Sequence, residues 1–337
     1  MTTLESLLDA KPVLLADGGM GTGLFALGLS TGDSPELWNV DHPDRIAAVH
    51  RGFVDAGADI ILTNTFGGSR HRLKLHQAQE RVAELNRAAA MVAREVADAA
   101  GRPVVVAGSM GPTGELIVPL GPLTMEDAAQ AFAEQAVALA AGGVDVLWIE
   151  TMSSAEEVEA AVRGAMATDL PVVVTLSFDT NGRTMMGITP DAAVALFDRL
   201  PRRPTAFGAN CGTGPGQLLA SVLGLADAAG SGPILVAKGN CGIPEYKDGH
   251  ICYSGTPEIM AAYAGLARDC GARIVGGCCG TTAVHIAAMR RALDEGARGA
   301  TPDIPTIAAA LGPVVLPSVT GASQAERERG ERRRRRV

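Results

Sequence analysis

Eight short apolar runs rich in β-branched residues recur along the chain: Val13–Asp17, Asp59–Phe66, Pro103–Met110, Val144–Thr151, Pro171–Phe178, Ala206–Cys211, Ile234–Asn240 and Arg273–Cys279. Most are continuously apolar rather than alternating, which is the pattern of parallel strands covered on both faces. Between them lie alanine-rich segments with helical spacing: Arg45–Ala56, Gln77–Ala100, Thr124–Ala141, Ala155–Ala167, Pro190–Leu200, Gly216–Ala229, Pro257–Asp269 and Ala283–Asp294. Thr124 with Asp127, and the pair Thr189-Pro190, mark helix starts. Strands and helices alternating eight times predict an α/β fold of the (β/α)8 TIM-barrel type. The alternative is an open doubly wound sheet. The glycine turn after the first strand, Asp17-Gly18-Gly19-Met20-Gly21-Thr22, lacks the spacing of a dinucleotide fingerprint and speaks against it.

The pattern changes beyond Gly296. Residues 1–298 are expected to form the barrel and residues 299–320, rich in Pro, Ala and Val, a C-terminal extension that wraps it. Residues 321–337 form a charged tail ending in Arg332–Arg336, and a block of like charge predicts disorder.

A barrel reading sharpens the search for chemistry, because barrel enzymes work at the C-terminal ends of their strands. Asp17, Asn64 to Phe66, Ser109 to Gly111, Glu150, Cys211, Asn240, Cys241, Cys278 and Cys279 all fall there. The densest of these stretches is Gly276-Gly277-Cys278-Cys279-Gly280-Thr281-Thr282. Adjacent strand residues point to opposite faces, so both thiols can meet one partner only if the strand stops there. The glycines permit such a stop. The stretch reads as the two-sulfur half of a metal site, with a third sulfur from Cys211 or Cys241, which spacing alone does not separate. Three thiolates with an exchangeable fourth position make an open zinc site, whereas four would close it. Magnesium and calcium prefer oxygen. Cys270 falls late in a helical segment and reads as core; Cys252 reads as a loop bystander. A thiolate-rich zinc ion suits the binding of another thiol, held as the nucleophilic thiolate, and the reaction class that follows is alkyl transfer to a substrate thiol.

Composition narrows the partners. A net charge of −8 and 4% aromatic content exclude a nucleic-acid surface on the body. No apolar run approaches a membrane span, and the polar, acidic N-terminus has no export pattern. Six cysteines in such a chain read as thiols or ligands of a reducing compartment, so the expected location is cytoplasmic.

Taken in order, Asp17-Gly18-Gly19-Met20-Gly21-Thr22, Thr63-Asn64-Thr65-Phe66, Gly208-Ala209-Asn210-Cys211 and Gly276-Gly277-Cys278-Cys279-Gly280-Thr281 resemble the homocysteine S-methyltransferases. That family includes the betaine-dependent and S-methylmethionine-dependent enzymes and the homocysteine module of cobalamin-dependent methionine synthase. The resemblance covers roughly residues 10–295. It implies a Zn2+ barrel that makes methionine, with Cys211, Cys278 and Cys279 as ligands and Asn240 as a possible fourth. It also implies that Glu150, helped by Asp17, binds the homocysteine ammonium, and that backbone N–H groups around Gly18, Gly19 and Thr22 hold its carboxylate. Where the betaine enzymes carry tyrosines, this chain has Gly67 and Thr151; Trp38 matches an aromatic of the betaine site, and Trp148, Tyr246 and Tyr253 are further aromatic candidates. The expected partners are homocysteine and a methyl donor: betaine, another onium compound, or methylcobalamin on a separate carrier protein. Two other readings compete. One is a non-catalytic zinc or thiol-binding subunit with Cys241 as fourth sulfur. The other is an aldolase or isomerase barrel, disfavoured because Lys238 is the only lysine near a strand end.

Overall fold

The computed structural model describes residues 3–247 and 250–315. The strands are β1 (Leu14–Leu15), β2 (Ile60–Leu62), β3 (Val105–Met110), β4 (Val146–Met152), β5 (Val172–Leu176), β6 (Ala206–Cys211), β7 (Ile234–Gly239), β8 (Pro244–Lys247), β9 (His250–Tyr253) and β10 (Ala272–Gly277). All but β8 and β9 pair in parallel in the order β1-β10-β7-β6-β5-β4-β3-β2, and an Ala16–Ile60 bridge joins the two ends. This is the expected (β/α)8 barrel. Helices fill the connections; Thr124 and Thr189 cap theirs by accepting from the N–H of Asp127 and Ala192, as their sequence signals predict.

Alternation along each strand sorts the core into two layers. Leu14, Ile60, Leu62, Val105, Ala107, Val146, Trp148, Val173, Ala206, Val236 and Ile274 pack together inside the barrel. Their neighbours Leu15, Ile61, Val106, Leu147, Val172, Val174, Phe207, Leu235 and Val275 pack outward against the helices. Both sets are apolar, which is why the sequence shows runs rather than alternation.

Three features depart from the expectation. The polar-looking N-terminus is an amphipathic helix, Leu4–Ala10, capped by Thr3; its Leu4, Leu7 and Leu8 join the inner cluster. The helix expected from Gln77 begins at Val82, because Gln77 takes a left-handed φ of 57° and a 3-10 turn follows. The antiparallel hairpin β8–β9 stands between β7 and the next helix. Its sequence signal is Asp248-Gly249 between two short runs. Of the extension, the helix Ile304–Leu311 packs on the helices Pro215–Ala229 and Pro257–Asp269 and buries Ile307, and the N–H of Val315 donates to Gln217 Oε1 at 2.8 Å. The tail 321–337 lies outside the described residues.

Candidate metal centre

Strand β10 ends at Gly277, so Cys278 and Cys279 occupy the turn that follows. Cys278 keeps one contact with the ladder, its N–H donating to Gly239 O at 2.7 Å, and the Cys279 carbonyl accepts from Cys241 N at 2.9 Å. On the neighbouring barrel strand but one, Cys211 closes β6 with a left-handed φ of 62°, rare for a residue with a Cβ, which turns the chain over the barrel mouth. The sulfurs of Cys211, Cys278 and Cys279 all lie within 4.8 Å of one another. Sulfurs at ~2.3 Å from a tetrahedral zinc ion would stand ~3.8 Å apart, so the cluster needs only a small contraction to hold one.

The electrostatics fit a cation. Hydrogen bonding to Cys211, together with burial, puts the Cys278 thiol well above its ordinary range. The hydrogen bond with Cys211 lowers Cys279, but Cys278 and burial outweigh it and hold Cys279 up at about 12. The hydrogen bond with Cys278 lowers Cys211, but Cys279 and burial bring it to about 11. Three half-buried thiols cannot all ionise beside one another unless a soft cation offsets their charge. Cys241 does not belong to the group: its thiol is buried and donates to Gly255 O at 3.3 Å. Cys270 is core, as expected. Cys252 lies on β9, and its side chain, like that of Tyr246, is outside the described set.

Asn240 knits the centre together. Its side-chain oxygen accepts from Cys279 N at 3.1 Å, and its Nδ2 donates to Gly212 O at 2.6 Å and approaches Cys211 Sγ at 3.5 Å. Tyr253, the last residue of β9, stands beside the cysteine turn, and burial together with the nearby Cys279 raises its phenol pKa above the ordinary value. Its ring lies so close to Gly280 that a Cβ there would fall 2.3 Å from Tyr253 Cγ.

The glycine turn after β1 packs straight onto the cysteine turn. A Cβ on Gly18 would meet Thr281 O at 2.4 Å, and one on Gly19 would meet Cys278 O at 2.8 Å. Of the N–H groups expected to face a carboxylate, that of Gly19 is already donated to Thr281 O at 3.0 Å. The helix Met20–Ala26 starts here, and its first-turn N–H groups have no intrahelical acceptor.

Below the thiols, the inward columns of the barrel continue with polar residues. Glu150 follows Trp148 on β4, Ser109 follows Ala107 on β3, and Lys238 follows Val236 on β7. Ser109 donates to Glu150 Oε1 at 2.5 Å; Lys238 Nζ donates to Asp17 Oδ1 at 2.7 Å. Burial raises the Glu150 pKa, and Lys238 and Ser109 pull it back in part. Burial also works against the charge on Lys238, but Asp17 and Glu150 outweigh it and lift its pKa above the ordinary value.

Two of the motif asparagines are scaffolding. Asn64 donates to Pro35 O at 2.7 Å and Asn39 Oδ1 at 2.9 Å. Asn210 accepts from Thr151 N and Thr175 Oγ1 and donates to Thr151 Oγ1, tying β4 and β5 to β6 immediately before Cys211. Thr63 Oγ1 accepts from Ser109 N at 3.0 Å, so the second motif holds the residue that holds Glu150. Sequence reasoning placed these residues at strand ends without assigning their partners. Ser109 and Lys238 were likewise legible as strand-end residues, but not as partners of Glu150 and Asp17.

Of the aromatic candidates Tyr253 stands at the thiols, whereas the two tryptophans are buried in the core. Trp148 is fully buried inside the barrel. Trp38 is buried with Leu24, Leu29 and Ile46, and the Arg45 guanidinium sits 4.8 Å from its ring centre.

Comparison with known proteins agrees with this geometry. A profile of the family described as homocysteine S-methyltransferase matches residues 14–293. The methionine synthase of Mycobacterium tuberculosis is 33% identical over 298 residues, 83% of this chain and 25% of that protein. That of Mycobacterium leprae is 32% identical over 315 residues, 89% of this chain and 26% of that protein. The chain thus spans about a quarter of the length of these curated relatives. Among solved structures, the metallated form of the homocysteine methyltransferase MmuM from Escherichia coli superposes with a TM-score of 0.70 at 26% identity, covering 85% of this chain and 98% of that one. Its oxidized form gives 0.72 with 86% and 99% covered.

Proposed function

The chain belongs to the homocysteine S-methyltransferase family, and from that premise we propose that it methylates the sulfur of homocysteine to give methionine, using Zn2+ held by Cys211, Cys278 and Cys279. The observation that carries this reading is the convergence of three thiols within 4.8 Å at the barrel end where Glu150 stands. When bound, the zinc ion supplies the positive charge that keeps a substrate thiol deprotonated near neutral pH.

The protein's own residues do the rest. Glu150, its free oxygen edge open and its other oxygen fixed by Ser109, receives the substrate ammonium. The first-turn N–H groups of Met20–Ala26, reached through the Gly18-Gly19 turn, face the carboxylate. With both ends of the amino acid held, its sulfur is aimed at the barrel mouth. Asn240 fixes the Cys279 backbone and is the candidate to share the centre when no substrate is present. A sulfur lone pair forms the new bond to the methyl carbon as the bond from carbon to the donor breaks. The thiol proton goes to solvent.

The donor we favour is methylcobalamin presented by a carrier protein. A quaternary ammonium needs an aromatic cage, and the aromatic matched to that site, Trp38, is buried and has Arg45 against its ring. The neighbouring positions are Gly67 and Thr151. The two mycobacterial relatives, of which this chain spans about a quarter, are methionine synthases. We assign residues 1–298 to the catalytic barrel and 299–320 to an extension, whose described helix Ile304–Leu311 packs on the outer helices. Among the described residues no helix is long and apolar enough to cross a membrane, and we place the activity in the cytoplasm. The reading is tested by offering the zinc-loaded protein homocysteine with betaine, S-methylmethionine and methylcobalamin in parallel and measuring methionine. Turnover with methylcobalamin alone is expected; turnover with betaine would reassign the donor, and none with any donor would overturn the reading.

A further inference from the structure

Two carboxylates and one ammonium lie beneath the thiols, and their connections are unequal. Both Asp17 oxygens are taken: Oδ1 accepts from Lys238 Nζ and Oδ2 from the Leu62 N–H, each at 2.7 Å. The Asp17 and Lys238 side chains are 1% and 2% exposed. Glu150 uses one oxygen, toward Ser109, and the other has no partner among the described residues. Glu150 also retains 8% exposure, so its free edge opens on the site.

The sequence is arranged to permit the inner pair. Lys238 on β7 stands opposite Gly276 on β10, and β10 separates β7 from β1. A Cβ at Gly276 would fall 3.0 Å from Lys238 Cγ and 2.9 Å from Ala16 Cβ. The missing side chain is the passage by which the lysine stem crosses to Asp17. Part of the reason for glycine in the Gly-Gly-Cys-Cys-Gly stretch is therefore Lys238 rather than the thiols.

We infer that Lys238 is the positioning residue that sets acceptor specificity: it withdraws Asp17 from substrate binding and leaves Glu150 as the one carboxylate offered to the acceptor's ammonium. The inference rests on the proposed role of homocysteine as acceptor and names what the site selects, an α-amino thiol over the same thiol without its amine. The charges of Asp17, Glu150 and Lys238 sum to −1, so one incoming ammonium neutralises the buried group. Without Lys238 the floor would hold two uncompensated carboxylates, and without Asp17 the freed lysine would turn to Glu150.

The test titrates homocysteine and γ-mercaptobutyrate, which keeps the thiol and carboxylate and lacks the amine, into zinc-loaded wild type, D17N, D17N/K238M and E150Q. Wild type should prefer homocysteine by ~10–100-fold, the range for a charge-assisted contact. D17N should erase that preference, and D17N/K238M should restore it. A merely structural lysine would lower the affinity for both thiols alike, with no recovery in the double variant. Failure of D17N/K238M to recover would overturn the inference, since Asp17 itself would then hold the ammonium. E150Q decides the matter even if D17N does not fold: loss of the preference supports a sole acceptor, and its survival contradicts one. Equal binding of both thiols by wild type overturns this inference alone, whereas no thiol binding at all overturns the proposed function with it.

Discussion

The two ends of the barrel interior are built from the same columns of residues and held by different forces. Toward the N-terminal end, Val105, Val146, Val173, Ala206, Val236 and Ile274 meet one another and the plug formed by Leu4, Leu7 and Leu8. Two to four residues further along the same strands stand Ser109, Glu150, Thr175, Asn210 and Lys238, with Cys278 just past the end of β10, all buried or nearly so. The lower half is non-directional and tolerates exchange of one apolar residue for another. The upper half is a set of specific pairs in which removing one partner strands the other. The barrel keeps its stability in one half and its chemistry in the other.

Substitutions should separate these halves, and the largest effect is expected at the thiols. Cys278→Ser should abolish both zinc retention and methionine formation while leaving the thermal transition of the metal-free protein near that of wild type; metal content by mass spectrometry and a melting curve check both. The reverse pattern is expected below. Trp148→Ala opens a cavity in the inner cluster and should cost ~3–5 kcal/mol of stability, measured by denaturant unfolding, with homocysteine affinity unchanged under conditions where the variant is folded.

A third effect belongs to neither half. His50 lies fully buried in the helix Pro43–Asp55 with both ring nitrogens unpartnered, and burial lowers its pKa to about 4. The folded state therefore binds fewer protons than the unfolded one between its unfolded value of ~6.5 and that level, so stability is lost as pH falls through this window. Going from pH 7.5 to 5 should cost wild type ~2 kcal/mol from this group, and His50→Phe should remove that part of the loss. Of similar size is Glu150→Gln, which should lower kcat/KM for homocysteine by ~10–100-fold, or ~1.5–3 kcal/mol. The smallest effect is expected for Tyr253→Phe. Removing a phenol that stands beside a ligand sulfur should weaken zinc by ~10-fold in a chelator competition, without changing the fold.

Legibility in the sequence follows the same division. The inner and outer apolar layers read directly as eight runs, because burial on both faces leaves a mark at every position. The helix caps at Thr124 and Thr189 and the stop after Gly277 were also visible, since each depends on a residue type at a fixed offset. The N-terminal plug was hidden by composition: Glu5, Ser6 and Asp9 make the segment look polar, and only the spacing of Leu4, Leu7 and Leu8 gives it away. In the site, the adjacent cysteines and the third cysteine after Asn210 were legible because their pattern is scarce. Spacing alone did not choose between Cys211 and Cys241, as both follow an asparagine at a strand end; the family resemblance pointed to Cys211. The fold supplies the geometry: Cys241 turns to Gly255 O while Cys211 meets the other thiols. The Asp17–Lys238 pair spans 221 positions of sequence, and no local signal announces it. For Trp38 the sequence shows an aromatic at a matching position, and only the fold shows that Arg45 lies against its ring.

The central claim is that three cysteine sulfurs hold a zinc ion with room for a fourth sulfur from the acceptor. Zinc X-ray absorption on the loaded protein, with and without homocysteine, tests it most directly. The account predicts three sulfurs and one lighter atom in the free protein and four sulfurs with homocysteine. Four sulfurs before any thiol is added, unchanged afterwards, would contradict it and make the centre a closed structural site.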